Sequence, residues 1–169
     1  MSFAPGMHAF PGGRLADEDV LEDDPLRACA IRETAEEVAI DVRDCMLFDR
    51  WITPEVEDRR YDVSFFIAEV EHRGRLATTE ADSMLWISPS DALDRHLHGS
   101  LPMLRPTRAV LEDLAAGRVV DDPGAVVPKL PRARPDGLWD VIDADTDRVL
   151  VTVDVGPMLL ETDGRIMEV

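Results

Sequence analysis

Glu33, Glu36 and Glu37 stand at positions i, i+3 and i+4. On an α-helix that spacing gathers three carboxylates within an arc of about 100°. Like charges at this separation repel, so the arrangement costs stability unless something positive offsets it. Hard divalent cations do so well: Mg²⁺ and Mn²⁺ favour carboxylate oxygens and keep several waters. Arg32, the neighbouring residue, can pair with one of the carboxylates and fix its rotamer. The same spacing also suits a solvated acidic helix face, common in so acidic a chain, and spacing alone leaves both readings open.

The helix itself is legible. Asp24-Pro25 is an N-cap acid followed by proline at the first helical position, and β-branched residues take over after Val38. Ala28, Ile31, Ala35 and Val38 fall on one apolar face, opposite the glutamates. Before it, residues 1–23 read as loop, punctuated by Pro5, Gly6, Pro11, Gly12 and Gly13. After it, Cys45–Ile52 and Tyr61–Val70 read as strands, joined by a polar loop over Thr53–Arg60. A short strand is expected at Met84–Ile87. Ser88-Pro89-Ser90-Asp91 then opens a second helix, and a third runs over Thr107–Ala116 to Gly117. Residues 120–137 carry four prolines and two glycines and read as a linker or strap. Short strands follow at Val149–Val155 and Met158–Glu161, between Asp-rich turns.

Thirty-five Asp and Glu against 18 Lys and Arg give the 169-residue chain a net charge of −17. That field excludes nucleic-acid backbones and anionic membrane surfaces as partners. It admits a small phosphate-bearing substrate where divalent cations stand between the two negative partners. Hydrophobic residues at 45% are enough for one buried core. Cys29 and Cys45 are too few for a disulfide framework. No apolar run approaches a membrane span, and the N-terminus lacks the features of a signal peptide. A soluble, cytoplasmic setting is expected.

Arg32-Glu33-x-x-Glu36-Glu37, preceded by the Gly12-Gly13 turn, resembles the Nudix box, whose pattern is G-x5-E-x7-R-E-U-x-E-E-x-G-U with U aliphatic. Gly13, Arg32, Glu33, Glu36, Glu37 and Ile40 match. Thr34 stands where an aliphatic residue is expected and Ala39 where glycine is. Counting back from Arg32 puts the upstream acid at Asp24, and a five-residue insertion somewhere in 19–24 explains the excess distance from Gly13. The segments 3–13, 51–55, 60–66 and 86–89 are further similar to a coenzyme A diphosphatase type of Nudix protein, and the likeness covers roughly 3–116. Nudix domains open with a strand before the Gly-Gly turn, and none is visible here. The readings left open are a start placed too late, C-terminal strands filling the gap, or an incomplete domain. An unpaired edge would invite a homodimer by strand exchange.

The resemblance implies an α+β Nudix fold, a mixed β-sheet sandwiched between helices (α/β/α). Its domain would span 1–118, followed by a strap at 119–137 and a β extension at 138–169. It also implies a pyrophosphohydrolase dependent on Mg²⁺ or Mn²⁺, cleaving a nucleoside diphosphate linked to another moiety. Coenzyme A or acyl-CoA is the expected substrate; ADP-ribose, NADH, a sugar nucleotide, or a catalytically weak nucleotide-binding role are the alternatives. Glu36 and Glu37 would be metal ligands. Glu33 would be a further ligand or the group orienting water, the Gly13 carbonyl an additional ligand, and Arg32 the residue orienting a glutamate. Glu80, before Trp86, is the candidate general base, and a plain surface glutamate is the other reading of it.

Other features weigh less. His96 and His98 point about 200° apart on a helix and read as solvent-exposed. Arg59 and Arg60 could meet a phosphate or be an ordinary loop pair. Trp51, Tyr61 and Trp86 could stack on a base, though aromatics at strand ends are more often core. No Gly-x-Ser-x-Gly elbow is present.

Overall fold

The computed structural model describes residues 6–79, 81–120 and 122–153, with the backbone of two short strands at 159–160 and 166–167. The chain divides into two compact units, Met1–Phe48 with Phe65–Pro123, and Asp49–Ser64 with Gly124–Val169. Among the described residues no helix is long and apolar enough to cross a membrane.

Among the described residues the first unit holds three α-helices. Helix α1 spans Pro25–Val38, the expected range, and the Asp24 side chain accepts the Arg27 N–H at its N-terminus. Cys29 and Val38 are its buried residues, while Ala35 of the expected apolar face is exposed. Thr34 is accommodated because its hydroxyl donates to the Ala30 carbonyl at 2.7 Å, satisfying the polar group within the helix. Val38, Ile40 and Val42 then form a buried cluster, against which Ile31, Cys45, Val70 and Met84 pack.

Helix α2 (Pro89–Leu97) starts at the Ser88 cap, whose Oγ accepts from the Asp91 N–H at 3.1 Å. Helix α3 runs over Arg105–Ala115, two residues ahead of the expected start, because Pro106 fits the first turn and carries no N–H that needs a partner. The two pack around Ala92, Leu101, Met103 and Leu111. Residues 84–87 form no strand; Met84 joins the Val38 cluster and the Trp86 indole N–H donates to the Arg73 carbonyl.

Strands β1 (Met46–Ile52) and β2 (Asp62–Ile67) run from one unit into the other. In the second unit they join β3 (Pro128–Ala133), β4 (Trp139–Asp143) and β5 (Val149–Val153) in a sheet of order β2-β1-β3-β4-β5. The sheet is mixed: β3 is parallel to β1, whereas β3–β4 and β4–β5 are antiparallel. The C-terminal strands therefore do extend the sheet beside β1. Strands β6 (Leu159–Leu160) and β7 (Ile166–Met167) pair separately with each other.

Strand β3 lies inside the segment read as a strap, because Pro128 and Pro131 argue against a strand between two neighbours. Pro128 is the first residue of β3, where a missing N–H costs little. Among the described residues, the pairing of β1 with β3 covers Pro128 and Lys129, so by Pro131 the β1 side of the ladder is open. The β4 side continues in register to Ala133.

Between β1 and β3 sits a buried charge pair. Asp49 is 0% exposed, and the Lys129 ammonium lies 2.7 Å from each of its carboxylate oxygens. The Trp51 indole N–H donates to the same carboxylate at 2.9 Å, and the ammonium stands 5.4 Å from the Trp51 ring centroid. Trp51 is thus core, as strand-end aromatics usually are.

Lys129→Met removes the ammonium that lies 2.7 Å from both oxygens of buried Asp49 and is expected to cost about 3 kcal/mol, read as a lowered urea midpoint; an unchanged midpoint would show that the pair adds nothing. The C-cap of α1 offers a change of opposite sign. Ala39 is held at φ 52°, a left-handed conformation that strains any residue with a Cβ. Ala39→Gly should raise stability by roughly 1 kcal/mol, seen as a higher melting temperature.

Candidate active site

The glutamate face of α1 and the Gly12-Gly13 turn both belong to the first unit, and the structure brings them together. The Gly12 N–H donates to Glu37 Oε2 at 3.1 Å. Gly13 lies so close to Glu33 that a Cβ on it would overlap the Glu33 carboxylate. A side chain at position 13 would have to displace that carboxylate, which Arg32 holds.

Arg32 ties the remaining acids. Its guanidinium pairs with Glu33 Oε1 at 3.0 Å and with Glu36 Oε2 at 2.9 Å, and donates to the Arg14 carbonyl at 3.1 Å. It also makes a two-pronged bond to Asp19, Nε to Oδ1 at 3.1 Å and Nη2 to Oδ2 at 2.8 Å. Asp19 is only 3% exposed. Its carboxyl is drawn down to about 2, chiefly by the Arg32 hydrogen bonds and then by the Ala16 N–H, against the opposing effect of burial. Arg32 is correspondingly held above the usual arginine value, first by Asp19 and then by Glu33. Cys29, under the same guanidinium, is buried, and burial pushes its thiol up.

Asp19 was hidden by the direction of counting. Measured back from Arg32, the upstream acid of the box falls on Asp24, which instead caps α1. Measured forward from Gly13, five residues lead to Asp19. The extra residues therefore follow Asp19, in the 3-10 turn Asp19–Leu21 and the bend that leads to α1.

The structure thus gathers Gly13, Arg32, Glu33, Glu36 and Glu37 at one place. Glu80 lies outside the described residues. His96 and His98 are engaged separately, the first with the Leu101 carbonyl at 3.1 Å and the second with the Asp94 carbonyl at 2.6 Å. His96 is half-buried, so of the two only His98 is exposed as expected. Arg60 donates to the Thr53 carbonyl at 3.1 Å, and Arg59 is exposed.

The donors suit a hard divalent cation: carboxylates, with a backbone turn pressed against them. Among the described residues no three acidic, His or Cys side chains already converge as a ligand set. The reason is visible, since Arg32 supplies Glu33 and Glu36 with the positive charge that an ion would otherwise bring.

A profile of the NUDIX domain matches residues 2–106. Over 62 residues the chain is 37% identical to a protein of Proteus vulgaris named 8-oxo-dGTP diphosphatase, a match covering 37% of this chain and 50% of that one. The chain thus spans about half the length of this curated relative. It also superimposes on the crystal structure of a NUDIX hydrolase from Alicyclobacillus acidocaldarius, with a TM-score of 0.60 and 30% identity, covering 69% of this chain and 79% of that one. The glycines and the glutamate helix lie within the matched residues, and the chain belongs to the Nudix family. Its fold is the α+β Nudix fold, and proteins of this family generally use divalent metal ions.

Because the carboxyl of Asp19 is lowered on folding, its contribution to stability is complete above about pH 4 and is lost as pH falls towards 2. Asp19→Asn is therefore expected to be less stable than the parent at pH 7, with the gap narrowing between pH 4 and pH 2 in urea titrations. A gap that stayed constant down to the lowest pH would remove the ion pair as its cause.

Proposed function

We propose that the protein is a divalent-metal-dependent pyrophosphohydrolase acting on a small nucleotide derivative. The observation that carries this reading is the meeting of the Gly12-Gly13 turn with three glutamates that Arg32 and the Gly12 N–H hold in place. Glu36 and Glu37, with Glu33 and the Gly13 carbonyl, would hold Mg²⁺ or Mn²⁺. When bound, such an ion would neutralise diphosphate charge and lower the pKa of a coordinated water, so that a nucleophile for phosphorus is available at neutral pH.

The chain's own residues supply the rest. Glu33 is 15% exposed and wedged between Gly13 and Arg32, so its carboxylate is fixed and suited to orient a water or complete the ligand set. Glu36, 59% exposed and bonded to Arg32 along one helix face, is free to exchange that surface pair for an ion. Glu37 is fixed by the turn. Arg32, anchored by Asp19, can release Glu36 without becoming an unpaired buried cation. Glu80 is the proposed general base.

For substrate we favour a nucleoside diphosphate linked to another moiety, with coenzyme A or acyl-CoA first among them, on the resemblance of segments 3–13, 51–55, 60–66 and 86–89. ADP-ribose, NADH and sugar nucleotides share the reacting bond. The name of the Proteus vulgaris relative supports a second reading, a nucleoside triphosphate such as 8-oxo-dGTP. Both need the same cleavage of a phosphoanhydride and differ in what flanks it. We place the protein in the cytoplasm, as monomer or homodimer.

A hydrolysis screen with Mg²⁺ or Mn²⁺ over CoA, acyl-CoA, ADP-ribose, NADH and 8-oxo-dGTP distinguishes the readings. Glu37→Gln keeps the shape and removes the charge, and it is expected to lower turnover by about a hundredfold or more with an unchanged melting temperature. Parent-like turnover in that variant would remove Glu37 from the metal site. No turnover on any compound, with Mn²⁺ binding retained, would favour a nucleotide-binding role.

A further inference from the structure

The last four carbonyls of an α-helix have no partner within the helix, and such ends fray unless outside donors reach them. Glu37 and Val38 are the final two residues of α1, so the glutamate with the central proposed role sits on the least secure turn. Ala39, strained at φ 52°, weakens that end further.

Outside donors do reach it. The Ala77 N–H donates to the Glu37 carbonyl at 2.8 Å, and the Arg75 N–H donates to the Val38 carbonyl at 2.8 Å. The segment that carries these donors is itself held at its start, where the Trp86 indole N–H donates to the Arg73 carbonyl and the Gly74 N–H to His72 Nδ1 at 3.1 Å. This close approach depends on Gly74. It has φ +57°, and a Cβ there would overlap the Val38 carbonyl oxygen, a backbone atom that cannot turn aside, and would lie 2.5 Å from Ile40 Cγ1.

We propose that Gly74 is a positioning residue for Glu37: by letting the 74–77 segment close on the end of α1, it fixes the turn that carries this carboxylate and so sets the affinity for the divalent cation. Gly74 lies outside the glutamate motif and 37 residues beyond Glu37 in the chain. The inference rests on the reading of Glu37 as a metal ligand. The 74–77 segment holds the backbone of that turn, whereas the Gly12 N–H holds the carboxylate itself.

Titration of the full chain with Mn²⁺, followed by calorimetry and without any nucleotide, tests it. Gly74→Ala is expected to weaken Mn²⁺ binding about tenfold and to speed amide hydrogen exchange at Arg75 and Ala77. Ala77→Pro, at an exposed position, deletes the donor to the Glu37 carbonyl without touching Gly74, and should weaken Mn²⁺ binding in the same direction. Val42→Ala loosens the neighbouring Val38–Ile40–Val42 cluster and serves as the control, expected to lower the melting temperature with parent-like Mn²⁺ affinity. Parent-like affinity in Gly74→Ala and Ala77→Pro, with the parent binding Mn²⁺, would overturn the positioning role alone. An equal loss in Val42→Ala would also overturn it, by showing that general destabilisation is enough. A parent that binds no Mn²⁺ would remove the metal-site reading and this inference with it.

Discussion

A single guanidinium organises the glutamate helix. Arg32 pairs with Asp19, Glu33 and Glu36 and lies 3.7 Å from Glu18, so one fixed positive charge serves four negative ones. In a chain of net charge −17, a row of acids on one helix face would otherwise work against the fold. The planar fork of arginine matters here. It gives Asp19 two parallel bonds and still has N–H groups left for the glutamates, which a lysine ammonium could not direct in the same way. Burial of Asp19 works against its charge, and the two hydrogen bonds from Arg32 outweigh it.

The same interaction explains why the carboxylates are not gathered into a ready-made metal cage. Glu33 is held between arginine and the Gly13 backbone, Glu36 by arginine at the surface, and Glu37 by the Gly12 N–H. Arg32 restrains two of them and the Gly12 N–H the third, so repulsion among them is relieved without an ion. Under the proposed function, metal binding then becomes an exchange of partners in which Arg32 falls back on Asp19. The exposed position of Glu36 makes its bond to Arg32 the easiest to give up.

The second unit poses a different problem, that of completing a sheet with a strand containing two prolines. Its solution is an offset: among the described residues β1 covers the first two residues of β3, and β4 covers the rest. The buried Asp49–Lys129 pair joins β1 to β3 over that short overlap. Lys129 is the only lysine of the chain, and it stands directly opposite Trp51 in the ladder.

Much of this was written locally. The bounds of α1 follow from Asp24-Pro25 and from the switch to β-branched residues after Val38, because capping and propensity act over a few residues. The Ser88 cap, the Gly-Gly turn and the glutamate spacing are legible for the same reason, and the pattern they make identifies the family. Other features had no local signature. Strand β3 was concealed because tolerance of Pro131 depends on where its neighbour β1 ends. Asp19 was concealed because an insertion breaks the count to Arg32, and only folding shows which acid the guanidinium meets. Gly74 carries no motif at all; its role arises from an approach to Val38 and Ile40 across more than thirty residues of chain. The sequence by itself determined which groups could do chemistry and on which helix they stand. Tertiary structure alone decided which charges pair and which backbone N–H groups reach the helix end, because those depend on distances that close only when remote segments pack.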